Sequence, residues 1–274
     1  MRLSRNTRWS LRVGVGITLA FIYVPLLVIF IYAFNGSARL GWPPSDLTTH
    51  WFSDAFKNDG ARHAFVNSIK VGIAATAIAL VLGTLASFAV ARHRFFGRET
   101  ISFLVILPIA LPGIVTGVAL SDTFTQVFGV SLSLWTVIVG HATFCIVVVY
   151  NNVIARLRRT QGSLEEASSD LGADTWQTFR LVTFPQLKTA LLAGGLLAFA
   201  LSFDEVIVTT FTAGADQTLP IWILTNLSRP NQLPIVNVVA VFVILLSMIP
   251  VYFASKLSSE SAGAGSTGVA GGAR

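Results

Sequence analysis

Charged side chains are scarce in this chain, at 12% of 274 residues, where a soluble domain carries about a quarter. Too few are present to clothe a water-facing surface of that size, which excludes an ordinary soluble fold. Cysteine is all but absent. Cys145 alone closes no internal disulfide and supplies no metal cluster, and its apolar setting reads as that of a small buried side chain. Lysine is confined to Lys57, Lys70, Lys188 and Lys256, none preceded by glycine. The chain therefore lacks the Gly-Lys-Ser/Thr that holds nucleotide phosphates in a P-loop. A Gly-x-Ser-x-Gly elbow and a His-Glu-x-x-His helix are missing too, which removes the common nucleophile and zinc arrangements. No catalytic constellation is left, so the chain is expected to be non-catalytic, with no cofactor and no metal of its own.

What is present is apolar. Hydrophobic residues make up 53% of the chain and the mean hydropathy is +0.70. Crossing a bilayer takes roughly 20 mostly apolar residues, and six runs are long enough: Val13–Phe34, Val66–Ala91, Ile101–Phe124, Leu132–Ala155, Ala190–Ala213 and Ile235–Leu257. The first follows Arg2, Arg5, Arg8 and Arg12 like a signal peptide. It is too long for a typical apolar signal core and lacks a small-x-small cleavage site, so it reads as an uncleaved span. The expected fold is an all-α integral membrane protein with six transmembrane helices. Its parts are a tail over 1–12, a first span over 13–34, an outer loop over 35–65, a membrane domain over 66–257 and a disordered Gly/Ala/Ser tail over 258–274.

The net charge of +6 suggests a nucleic-acid partner only until the charges are placed. With the N-terminus inside, the inner segments hold Arg2, Arg5, Arg8, Arg12, Arg92, Arg94, Arg98, Arg156, Arg158, Arg159, Arg180, Lys188, Lys256 and Arg274. The outer ones keep Arg39, Lys57, Arg62, Lys70 and Arg229. This asymmetry is the one that orients membrane helices. Both termini are expected in the cytoplasm, with lipid and no nucleic acid as a partner.

The loop over 156–189 is the most informative stretch. Ser163-Leu164-Glu165-Glu166 spells a capping box, with Leu164, Ala167 and Leu171 along one helical face. Gly172 ends that helix, and Asp174-Thr175-Trp176-Gln177 starts a second with Trp176 and Phe179 as its apolar face. Pro185 is expected to stop it before the fifth span. Two short capped helices with a glycine joint need something to cover their apolar faces. The residues alone leave open whether that is the same chain or another subunit.

Inside the spans, Asp204 and Glu205 are the acids deep in an apolar run. They are expected about 100° apart on a continuous helix, facing protein or a watery path, with a structural pair as the alternative. Thr209, Thr210 and Thr212 add polar surface to that helix. Pro108, Pro112 and Gly113 should bend the third span, either beside a path or as a packing kink. Asp122 reads as interfacial. His141 is either a proton relay or a side chain satisfied by a neighbour, and Asn151 and Asn152 are expected to bond between helices.

Glu166-Ala167-Ser168, followed by Gly172 and Val182-Thr183-Phe184-Pro185, resembles the "EAA" loop of binding-protein-dependent ABC importer permeases. Ser168 stands for an alanine of the pattern and Phe184 for a leucine. The resemblance covers about Asn67–Leu257. It implies a type I ABC importer permease fold, in which Glu166, Ala167, Ser168, Gly172, Ala173, Val182, Phe184 and Pro185 form the loop that couples to a cytoplasmic ATPase. It also implies partners: a homologous second permease, a dimer of ATP-binding subunits carrying ATP and magnesium, and a periplasmic or lipid-anchored substrate-binding protein. Ile106-Leu-Pro-Ile-Ala-Leu-Pro-Gly113, Ala200-Leu-Ser-Phe-Asp-Glu-Val206 and Leu171-Gly-Ala-Asp174 are similar to the second permease subunit of spermidine/putrescine importers. That likeness implies a polyamine cargo and places Asp204, Glu205, Pro108, Pro112, Gly113 and Thr209 along its path. Thiamine, ferric iron and phosphonates are the cargoes of related permeases. A stand-alone secondary transporter is the other reading, and it leaves the two-helix loop without a purpose.

Overall fold

A computed structural model describes residues 4–37, 41–44, 46–160 and 162–263. Arg2, Arg39 and Arg274 of the charge pattern, and the tail from 264 onward, lie outside the described residues. The chain is helical: α1 Arg5–Tyr32, α2 His50–Lys57, α3 Asp59–Arg92, α4 Arg98–Ala110, α5 Gly113–Asp122, α6 Leu134–Arg159, α7 Ser163–Asp170, α8 Thr175–Thr178, α9 Phe184–Phe203, α10 Ile207–Thr212, α11 Leu219–Leu227 and α12 Leu233–Gly263. Among the described residues, five helical stretches are long and apolar enough to cross a membrane, and α4 with the stretch Gly113–Val127 makes a sixth, bent by 104°.

Several boundaries differ from the expectation. α2 and the first turns of α3 fall in the supposed outer loop. The Asn58 side chain accepts the Ala61 amide at 2.9 Å, so α3 is capped early and runs for 34 residues, about 51 Å at 1.5 Å per residue. At the other end α12 continues through Gly263, into the tail expected to be disordered, because Ser, Glu and Ala tolerate a helix and the first glycine comes only at 263. Pro185 does not stop a helix. α8, a wide π turn over Phe179–Thr183 and α9 follow without a gap. Pro185 lies in the opening residues of α9, directly after that wide turn, so the helix passes through it.

The chain divides into two compact units, Met1–Arg62 with Trp222–Leu245 and His63–Ile221 with Leu246–Arg274. In the first, α1 is exposed along almost its whole length. The Trp51 indole N–H donates to the Asn35 carbonyl at 2.9 Å, and Phe56 meets Phe242 edge-on with centroids 4.9 Å apart. The second unit is built around α6. Its Val137, Cys145, Val147, Val149 and Val153 are fully buried, with α3, α4, α9 and α10 packed around it. Close approach depends on small residues, as in membrane packing generally. A Cβ on Gly83 would stand 2.9 Å from the Ile146 carbonyl oxygen. Ser87 Oγ lies 2.7 Å from the Gly83 carbonyl and 3.1 Å from the Tyr150 carbonyl, tying α3 to α6. Cys145 is buried as read, its thiol directed at the Ala198 carbonyl. Where a bond between helices was expected for Asn152, its amide donates to Val148, one turn back in α6; α9 comes close there, and a Cβ on Gly194 would stand 3.3 Å from the Asn152 Cβ.

Candidate functional site: an elbow and a facing pair of helix breaks

The elbow is formed by α7, Gly172, α8 and the π turn. α7 ends in a Schellman motif. Gly172 N donates to Ser169 O at 2.9 Å and Ala173 N to Ser168 O at 3.1 Å, with Gly172 left-handed at φ 85°. This is the conformation for which glycine is favoured. Asp174 then caps α8 as expected: Gln177 N donates to its carboxylate at 2.8 Å, and the Gln177 side-chain Oε1 accepts the Asp174 N–H at 3.0 Å. The first capping box does not form. Gly162 is already near-helical, at φ −63° and ψ −20°, and its carbonyl receives the Glu165 and Glu166 amides. Ser163 is therefore inside the first turn rather than in front of it.

Glu165 holds the elbow down. Its Oε1 accepts Arg92 Nη2 from the end of α3 and Thr183 Oγ1 from the end of the π turn, each at 3.0 Å. The Arg92 and Glu165 side chains are both 23% exposed. Ser168 Oγ meets Thr178 Oγ1 at 3.0 Å, and Phe88 packs edge-on to Phe179. The inner face of the elbow is thus closed by its own chain. Glu166, Ala167 and Gly172 are exposed, as are Phe184 and Pro185, while Ser168, Ala173 and Val182 are half-buried. Trp176 is 66% exposed and Leu171 is 89% exposed, so this chain covers Phe179 but leaves the rest of the apolar face read from the sequence open. Sequence reading singled out Glu166 and passed over its neighbour Glu165, and it missed Arg92 and Thr183. The only signal was an arginine at the end of one span and a second acid beside the motif. A half-buried pair of this kind is worth about 1–3 kcal/mol. Arg92→Met and Glu165→Gln are expected to couple by that amount in a double-mutant cycle read by thermal unfolding in detergent. Additive effects would show that the pair contributes nothing.

The second feature lies at Asp204 and Glu205. The continuous helix expected over Ala190–Ala213 is instead broken. α9 ends at Phe203, Asp204 is its C-cap, and α10 starts at Ile207. One of the two carboxylates serves the break, since a side-chain acceptor can take a backbone donor that a helix start leaves free. Glu205 Oε1 accepts the Val208 amide at 3.0 Å, and Thr209 Oγ1 donates to the Glu205 carbonyl at 2.8 Å. Glu205 is half-buried and Asp204 exposed. The two acids therefore do different things: Glu205 caps α10 and Asp204 faces outward. Thr209, expected on a path, is fully buried. Thr212 is buried as well, whereas Thr210 is exposed. His141 is satisfied by neighbours, its ring nitrogens each 2.8 Å from the hydroxyls of Ser202 and Thr209.

The other break is the bend between α4 and α5. Leu111 is extended, at φ −82° and ψ 145°, because the following proline excludes the helical region. Pro112 is the N-cap of α5, and Pro108 is inside α4. The two breaks face each other. A Cβ on Gly113 would be 3.6 Å from Ile207, and one on Gly117 would be 2.8 Å from Phe211. The structure thus unites Pro112 and Gly113 with the Asp204–Glu205 break, while Asp122 is exposed further along. Facing half-helices of this sort expose backbone and carboxylate in a place where an unbroken span would not.

Comparison with known proteins adds kinship to this geometry. Residues 79–259 match the family described as "Binding-protein-dependent transport system inner membrane component". The chain is 31% identical over 250 residues to the spermidine/putrescine transport system permease protein PotC of Escherichia coli K12, covering 91% of this chain and 93% of that one. It is 30% identical to the putrescine transport system permease protein PotI of the same strain, covering 82% of each. A chain of a bacterial ABC transporter that imports the acidic polysaccharide alginate superposes with a TM-score of 0.69 at 18% identity, over 95% of this chain and 99% of that one.

Proposed function

We propose, from the premise that the chain belongs to the family of binding-protein-dependent transport system inner membrane components, that it is one permease half of an ATP-driven importer of polyamines such as putrescine and spermidine. The observation that carries the cargo is the likeness to polyamine permeases along about nine-tenths of the chain. The exposed Asp204 beside a helix break adds chemistry to it. A carboxylate in surroundings of low dielectric attracts ammonium groups, and a break between half-helices is where transporters expose such groups.

In this reading both termini are cytoplasmic, as the arginine distribution favours. A periplasmic or lipid-anchored binding protein delivers the polyamine, and a second, homologous permease completes the path. A dimer of ATP-binding subunits, which bind ATP and magnesium, takes the elbow into a groove. That groove would cover Leu164, Leu171 and Trp176, each worth roughly 1.5–3 kcal/mol when fully buried. A push on the elbow reaches the acids by a short route. The stretch Thr175–Phe203 is one helical rod of 29 residues, about 43 Å long, and Asp204 follows at its far end. The Glu165 tie to Arg92 carries the same motion into α3.

The test is uptake of labelled putrescine into proteoliposomes holding this chain with its cognate partners. ATP-dependent uptake that excess spermidine inhibits, and that thiamine, phosphonate and ferric iron do not, is expected. Uptake that persists without the ATPase subunits would overturn the importer reading, and inhibition by thiamine alone would overturn the cargo.

A further inference from the structure

His141 is a buried titratable side chain that neither the elbow nor the proposed cargo path uses. It is 1% exposed, in the first third of α6. Nδ1 is 2.8 Å from Ser202 Oγ, two residues before the break. Nε2 is 2.8 Å from Thr209 Oγ1, on the far side of it. Both hydroxyl residues are buried. With the Thr209 hydroxyl hydrogen on the Glu205 carbonyl, a neutral imidazole that donates from Nε2 to Thr209 and accepts at Nδ1 from Ser202 is one arrangement that pairs both ring nitrogens.

The spacing makes this more than core satisfaction. In an unbroken helix, residues seven apart are separated by about 10.5 Å along the axis. One imidazole with a hydrogen bond of about 2.8 Å on either side spans at most about 8 Å. The ring bonds one hydroxyl on each side of the interruption, and an interruption brings the two within reach of one ring more readily than a continuous helix does. We infer that His141 is a positioning residue that pins the break between α9 and α10 and thereby sets where Asp204 and Glu205 stand. Its effect on transport rests on the polyamine reading above; its effect on the geometry of the break does not.

Two measurements separate these. Spin labels at Leu192 and Thr210, both exposed, on a Cys145→Ser background report the length of the broken segment in the assembled transporter. A straight helix would place those backbones about 27 Å apart. His141→Leu, similar in volume but unable to bond, is expected to lengthen and broaden that distance, and His141→Gln is expected to restore part of it. In putrescine uptake His141→Leu is expected to raise KM at least fivefold with Vmax changed less than twofold, because the acids are displaced and the drive is not. Should His141→Leu fail to assemble, Ser202→Ala and Thr209→Val each cut one bond and are read in the same way. A label distance unchanged in every variant overturns the pin. A changed distance with unchanged KM keeps the pin and removes the acids from the path.

Discussion

Gly172→Val is expected to lower polyamine uptake by at least tenfold while the subunits still assemble and still hydrolyse ATP. Gly172 is left-handed at φ 85°, and two backbone bonds depend on that turn. A Cβ costs about 1–2 kcal/mol in this region, and β-branching adds to it. A glycine joint relieves that strain by opening, so α7 would swing relative to α8. Space is not the limit, since a Cβ at Gly172 meets nothing within 4 Å; the backbone dihedral alone is. Gly172→Asn, which tolerates the left-handed region better, should fall between wild type and valine, and Gly172→Ala close to valine. Uptake and ATP hydrolysis measured in the same vesicles decide the matter. Normal uptake by the valine variant would show that the joint is not where force is transmitted.

Asp204→Asn is expected to reduce uptake of a divalent polyamine by about tenfold or more, chiefly through KM, whereas Glu205→Gln should cost only a few-fold. The difference follows from what the two carboxylates do. Asp204 is exposed beside the break, and an amide there loses the charge that attracts an ammonium. Such an interaction is worth about 4 kcal/mol at 4 Å in surroundings of intermediate dielectric. Glu205 spends one oxygen on the Val208 amide, and glutamine keeps a carbonyl for that cap. Saturation curves for putrescine in the two variants, with surface amount checked by blotting, distinguish the roles. No effect of either substitution would remove the acids from the path, and equal effects would remove the division of roles between them.

The membrane character was legible because it needs no partner. Apolar length and the scarcity of charge are local properties, and six runs stand out by counting. The elbow was legible in its second half, since Asp174 and Gln177 sit three residues apart and cap whatever surrounds them, and Gly172 has its own conformational signature. The first half was misread. Ser163 has the right partner spacing, but the turn had already begun at Gly162, and a cap depends on where the preceding chain enters. The same limit hid Arg92. Nothing about an arginine at the end of one helix tells that Glu165, 73 residues later, will take its proton-bearing nitrogen at 3.0 Å.

The fifth span shows the division most clearly. Composition alone marked Ala190–Ala213 as membrane-crossing and Asp204 and Glu205 as out of place in it, because apolar surroundings penalise charge whatever the fold. Where the helix ended was another matter. Two acids in an apolar run are compatible with an intact helix, and the outcome turned on neighbours distant in the chain: Gly113, whose lack of a side chain lets α5 approach Ile207, and His141, whose ring bonds both sides of the interruption. Sequence determined what each stretch is made to contact, lipid or polar groups, since that is a property of its own side chains. Tertiary structure decided which interruptions, pairs and exposed faces exist, since each of those is a competition between bonds within a helix and bonds to residues that only folding brings near.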